Sequence, residues 1–162
     1  MTPEFQISRS FDAPRERVWE AWTKPEQLAR WFGPKGVVTT VRHFDLRPGG
    51  GLHARMDSPD GNGMYARFVY REVEPPAKLV WEHGFADEAG EFTDSPFGGP
   101  WPLRLLTTVL FAEEGERTRV TLSWVPLEAT AEEEAAFAAM MESMTGGWTG
   151  SFEQLETFLA EG

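Results

Sequence analysis

FDAPRERVWEAWTKPEQLARWFGPKG, residues 11–36, places two short helices and three tryptophans directly behind an opening strand. Asp12 and Pro14 mark a helix start, because proline at an early helical position gives up no needed N–H and has its φ already set. Val18, Trp19 and Trp22 then fall on one apolar stripe. Thr23 followed by Glu26 reads as a capping box enclosing Pro25, so a second helix carries Leu28, Trp31 and Phe32 until Gly33-Pro34 ends it. Upstream, Phe5, Ile7 and Phe11 alternate with polar residues, the period of a strand with one buried face.

Downstream the chain reads as strand after strand. Residues 37–46 are rich in β-branched side chains and close at Arg47-Pro48-Gly49-Gly50. Leu52, Ala54 and Met56 alternate with His53, Arg55 and Asp57; SPDGNG at 58–63 is a hairpin turn; Ala66, Phe68 and Tyr70 face away from Arg67 and Arg71. After Pro75-Pro76 a row of Leu79, Trp81, His83 and Phe85 points inward. Two further strands, 103–111 and 119–125, flank Glu113-Glu114-Gly115-Glu116, and five hairpin-type connections make a meander. Ahead of them, ADEAGEFTDSPFGGPWP at 86–102 mixes acids and glycines with Phe92, Phe97 and Trp101. It is either a long connection or a flap over a cavity mouth. A second capping box, Thr130 with Glu133, opens a helix expected to run from about Ala131 nearly to the C-terminus. Gly146-Gly147 is expected to bend it or let it approach the sheet. Phe137, Met140, Met141, Met144, Trp148, Phe152, Leu155 and Leu159 recur along it at helical spacing.

The 162 residues make one domain spanning 1–162. A net charge of −11 repels nucleic-acid phosphates and anionic lipid headgroups, so neither nucleic acid nor membrane is an expected partner. There is no cysteine, which removes thiolate nucleophiles and zinc-thiolate sites. No basic-then-apolar leader and no apolar run of membrane length is found, and a cytoplasmic location is expected.

The order of elements is that of a helix-grip fold, an α+β architecture in which a curved six-stranded antiparallel sheet wraps a long C-terminal helix and two short helices follow the first strand. FDAPRERVWEAWTKPEQLARWFGP, DLRPGG at 45–50, YREVEPPAKLVW at 70–81 and GWTGSFEQLETFL near the end together resemble the START-like superfamily. Within it the chain is similar to bacterial proteins related to the C-terminal domain of the activator of the ninety-kilodalton heat-shock protein ATPase. The resemblance spans essentially the whole chain and implies the same fold. Its motifs are turns, caps and packing aromatics, and they carry fold information only.

Catalytic motifs are missing: there is no G-x-S-x-G elbow, and no serine is tied to a histidine. His43, His53 and His83 lack metal-ligand spacing and are not expected to converge, so no metal and no cofactor is indicated. What remains is the interior, because a long helix cannot close tightly on a curved sheet along its whole length. From the sheet, Met56, Phe68, Tyr70, Trp81, His83 and Trp124 are expected to face the gap; from the helix, Met140, Met141, Met144 and Trp148. Adaptable methionines among aromatics suit a small apolar or aromatic ligand, with Tyr70 and His83 orienting its polar end. Two other functions stay open: a cyclase- or dehydratase-like enzyme using His83 or Tyr70, and an interaction protein related to chaperones. A homodimer is also compatible with such a domain.

Overall fold

The computed structural model describes residues 2–161, so Met1 and Gly162 of the expected 1–162 domain lie outside the described residues. The chain runs β1 (Phe5–Phe11), α1 (Arg15–Thr23), α2 (Pro25–Trp31), β2 (Val38–Phe44), β3 (Gly51–Asp57), β4 (Gly63–Glu74), β5 (Lys78–Ala86), β6 (Arg104–Glu114), β7 (Arg117–Leu127), α3 (Ala131–Ala139) and α4 (Met141–Ala160). The strands form one antiparallel sheet in the order β1-β7-β6-β5-β4-β3-β2. The meander from β2 to β7 accounts for six of them. The seventh is β1, which pairs with β7 from Phe5↔Trp124 to Phe11↔Thr118, so the expected six-stranded sheet is corrected to seven.

The alternation of side chains sets which face is buried. Leu52, Ala54, Phe68, Tyr70, Leu79, Trp81, Leu105, Val109, Val120 and Leu122 are all buried on the concave side. α4 lies across that side, packing most closely on α2 and β1, while α1 covers β6 and β7. Tryptophans knit these layers together: Trp22 of α1 meets Trp31 at 4.6 Å, Trp81 at 6.2 Å and Trp148 of α4 at 6.2 Å. Ser151 and Gln154 of α4 donate to the Gly33 carbonyl at 2.8 Å each, which ties the helix to the turn after α2.

Helix ends depart from the expected ones. Thr23 does not cap α2; it is the last residue of α1, and its hydroxyl donates back to the Trp19 carbonyl at 2.8 Å. Pro25 starts α2 without needing a side-chain cap, because its missing N–H is one that helix ends leave unpaired. Asp12 likewise stays outside α1, whose N-cap is Pro14. The capping box at α3 forms as expected, with Glu133 N–H donating to Thr130 Oγ1 at 3.1 Å and Thr130 N–H to Glu133 Oε1 at 2.9 Å. Removing it in Thr130→Ala should lower stability by about 1 kcal/mol, read as a shifted urea midpoint with unchanged slope.

The single C-terminal helix is corrected to two. The break falls at Met140, where ψ is 3° and the N–H turns back to the Phe137 carbonyl at 3.1 Å. Gly146 and Gly147 continue α4 unbroken, since glycine weakens a helix without forcing a kink. No helix of the described residues is long and apolar enough to cross a membrane.

Candidate functional site

Beneath α4, where the helix stands off from β4 and β5, a hollow opens in two adjoining lobes. The inner lobe, about 210 Å³, lies between the ends of β3, β4 and β5 and the middle of α4. An outer lobe of about 710 Å³ continues toward α3 and the segment 95–102. His83, Trp124 and Met144 belong to both walls, with the His83 ring stacked on Trp124 at 5.4 Å and 22°.

Of the residues expected to face the gap, Met56, His83, Trp124, Met144 and Trp148 line the inner lobe, and Met140 joins the wall of the outer one. Phe68, Tyr70 and Trp81 do not reach either lobe. They are sealed in the core, because Phe68 stacks on Trp81 at 4.6 Å and Tyr70 meets Trp81 edge-on at 5.9 Å, leaving no free face. Tyr70 is therefore removed from the role of orienting a ligand, and burial raises its hydroxyl pKa well above the ordinary value. Met141 packs on the core without lining the hollow.

Several wall residues were not foreseen. Phe85 follows from the same inward row as Trp81 and His83. Ala136 and Ala139, three apart on α3, leave room opposite Trp101, and Gly147 leaves a gap in the α4 wall of the inner lobe. The segment 86–102 divides its aromatics. Phe92 bridges back to Ala86 and takes the Arg67 guanidinium over its ring at 5.8 Å, whereas Phe97 and Trp101 wall the outer lobe, Phe97 standing 6.0 Å from Phe85.

Electrostatically the hollow is nearly blank. Neither lobe has a lysine, arginine, aspartate or glutamate in its wall. Burial alone lowers the His83 pKa to about 4, so its imidazole is neutral at physiological pH and offers one donor and one acceptor. Trp124 Nε1 is buried without a hydrogen-bond partner, as are Trp81 Nε1 and Thr107 Oγ1 close by in the sheet. Each such orphan costs about 1–3 kcal/mol relative to a satisfied group. His43 and His53 are cross-strand neighbours on the side of the sheet away from His83, so the three histidines do not come together. His53 Nε2 lies 3.1 Å from the Asp87 carbonyl, its ring stacked on Tyr65. Among the described residues no cluster of three or more His, Asp or Glu is placed to hold a metal ion.

The sequence matches a family model described as Activator of Hsp90 ATPase homolog 1-like protein over residues 12–160. The chain belongs to that family. Proteins of known structure superpose along almost its whole length. A protein from Arthrobacter aurescens is 31% identical with a TM-score of 0.82, covering 98% of this chain and 87% of its own. One from Mycobacterium smegmatis is 28% identical with a TM-score of 0.80, covering 98% and 91%. The AHSA1 protein of Silicibacter pomeroyi, at 19% identity and a TM-score of 0.74 with 98% of each chain covered, shares the fold. No curated protein matches the sequence.

Proposed function

We propose that this activator-homolog-like protein binds a small apolar or aromatic molecule in the hollow between the sheet and α4. The observation that carries this reading is the pair of connected lobes, about 210 and 710 Å³, walled by aromatics, methionines and small residues without a formal charge. Pockets of such size and lining bury most of a small ligand's surface. Covering roughly 200 Å² of apolar ligand at about 25 cal/mol per Å² gives about 5 kcal/mol before association entropy, a sub-millimolar figure, so micromolar affinity takes a guest that covers more of the two lobes. Acid–base catalysis is the weaker reading, because of the two candidate groups Tyr70 is sealed in the core and only His83 meets the hollow.

Titration with N-phenyl-1-naphthylamine, a neutral fluorescent hydrophobe, tests it. The wild type is expected to give saturable emission at micromolar probe. Gly147 borders the inner lobe and a Cβ there meets no atom within 4 Å, so Gly147→Leu brings no clash at Cβ and is expected to obstruct the lobe. The variant should bind at least tenfold more weakly while its unfolding free energy stays level or rises by up to about 1 kcal/mol, the propensity penalty of glycine. Absence of saturation in the wild type, or undiminished binding by a folded Gly147→Leu protein, contradicts the reading.

A further inference from the structure

Strand β2 ends the sheet on one side. It pairs only with β3, and among the described residues no backbone group of 38–44 has a backbone partner outside β3. An edge of that kind is a template for a further strand. Along it runs a groove of about 500 Å³, walled by residues 39–44 on one side and by Pro25, Glu26 and Ala29 of α2 on the other. Val38, at the start of the edge, is an apolar side chain left 63% exposed.

The charges of the chain say which strand fits there. Of its 15 lysines and arginines, all but Arg17, Arg42 and Arg67 are ion-paired among the described residues. Arg17 donates to Gln27 and to the Phe158 carbonyl, and Arg67 lies over Phe92 beside Gly90 of the 87–91 turn. Arg42 is left exposed, with neither an ion pair nor a hydrogen bond among the described residues. The pairing of β2 on β3 shifts between Val41 and His43, so Arg42 is the extra residue of a bulge, and its guanidinium lies over the Tyr65 ring at 5.4 Å. Stacking uses the face of a guanidinium and leaves its in-plane N–H groups to take a carboxylate. His43, exposed next to it, adds a ring that can donate. In a chain of net charge −11, an uncommitted cation on an open strand edge is complementary to an acidic partner.

A strand laid on β2 alternates its side chains between the two faces of the sheet. One set meets Arg42 and His43. The other meets Pro25 and Ala29, with Glu26 beside them turning carboxylates away from that side. A second copy of the chain fits badly, because antiparallel pairing of two β2 edges sets Arg42 near Arg42 and joins two molecules of like net charge. We propose that the β2 edge docks an extended acidic segment of a partner protein, which adds to the sheet as a further strand. Its aspartates or glutamates, at alternate positions, face Arg42, and small apolar residues between them face α2. The edge lies outside the hollow, so this docking is independent of ligand binding there.

Three octapeptides test it on the full chain by isothermal titration calorimetry: alternating valine and glutamate, the same with glutamine for glutamate, and the glutamate peptide N-methylated at every residue. The glutamate peptide is expected to bind about fivefold more tightly than the glutamine peptide, the scale of one exposed ion pair, and to lose that margin in high salt. In Arg42→Gln, a surface change that leaves the urea midpoint in place, the two should bind equally. The N-methylated peptide, which cannot donate to the edge, should not bind. In the wild type, backbone amide shifts of residues 38–44 should move as the glutamate peptide is added, a reading that needs no variant. Absence of binding by both unmethylated peptides, equal affinity for the two, a preference that survives Arg42→Gln, unmoved amide shifts, or binding undiminished by N-methylation overturns the proposal. Tighter binding of an oligothymidylate overturns it in favour of a nucleic acid, and a concentration-dependent dimer that already shields those amides overturns it in favour of a second copy.

Discussion

Phe152→Ala is expected to cost about 3–5 kcal/mol of unfolding free energy, enough to leave a domain of ordinary stability close to its unfolding threshold. Phe152 is fully buried on α4 and touches both layers of the core, edge-on to Phe11 of β1 at 5.5 Å and tilted against Trp148 at 5.6 Å. Two ring contacts are lost and a cavity opens where α4 packs on β1. The surroundings cannot collapse into it, because Phe11 is held by the β1–β7 ladder and Trp148 is wedged between Trp22 and Trp124. Urea unfolding should show a lower midpoint at constant slope. A loss under about 1 kcal/mol would mean that α4 is held by α2 alone and that Phe152 is not a keystone of the core.

Stability should also fall as pH drops from about 6.5 toward 4, and His83 is the group responsible. Its pKa is about 4 in the folded protein, because burial disfavours the imidazolium, against about 6.5 in the unfolded chain. Between those values the unfolded state binds a proton that the native state refuses, so protonation draws the equilibrium toward unfolding. The contribution is fully present above pH 6.5 and is lost progressively down to pH 4, amounting at most to something on the order of 3 kcal/mol. Phe68 and Trp124 meet the ring, and the hollow beside it has no carboxylate to rescue the cation. Glu82 acts in a lower window: burial raises its carboxyl, but hydrogen bonds and charge from Arg104 and Arg71 outweigh that and hold it below the usual range. Urea midpoints measured across pH 4–7 for the wild type and His83→Phe should keep a constant difference above pH 6.5 and shift relative to each other below it, the wild type falling more steeply toward pH 4. Parallel curves would show that His83 is not the titrating group.

The fold was readable because its signals are local and periodic. Alternation along Leu79, Trp81, His83 and Phe85 and the helical spacing from Met144 to Leu159 each state which face is buried, and the hairpin turns fix the meander. The pairing of β1 with β7 was not readable, since no turn joins them and nothing in FQISRSF names its neighbour. The site was half legible for a related reason. Periodicity says that a side chain points inward, but it cannot distinguish an inward residue with a neighbour on every face from one beside a void. Trp81 and His83 carry the same signal two residues apart, yet Phe68, Tyr70 and Trp22 enclose the first while the second borders both lobes. The outer lobe depends on the turn at Met140 and on where 95–102 folds back, both of which are tertiary outcomes.

During translation the order of synthesis works against the sheet's last seam. The β1 segment emerges ahead of every other strand, but its only hydrogen-bonding neighbour in the sheet, β7, is made after all five others. A nascent chain must therefore carry Phe5, Ile7 and Phe11 unpaired until β7 leaves the ribosome, and then close its longest loop in one late step whose entropic cost slows the search.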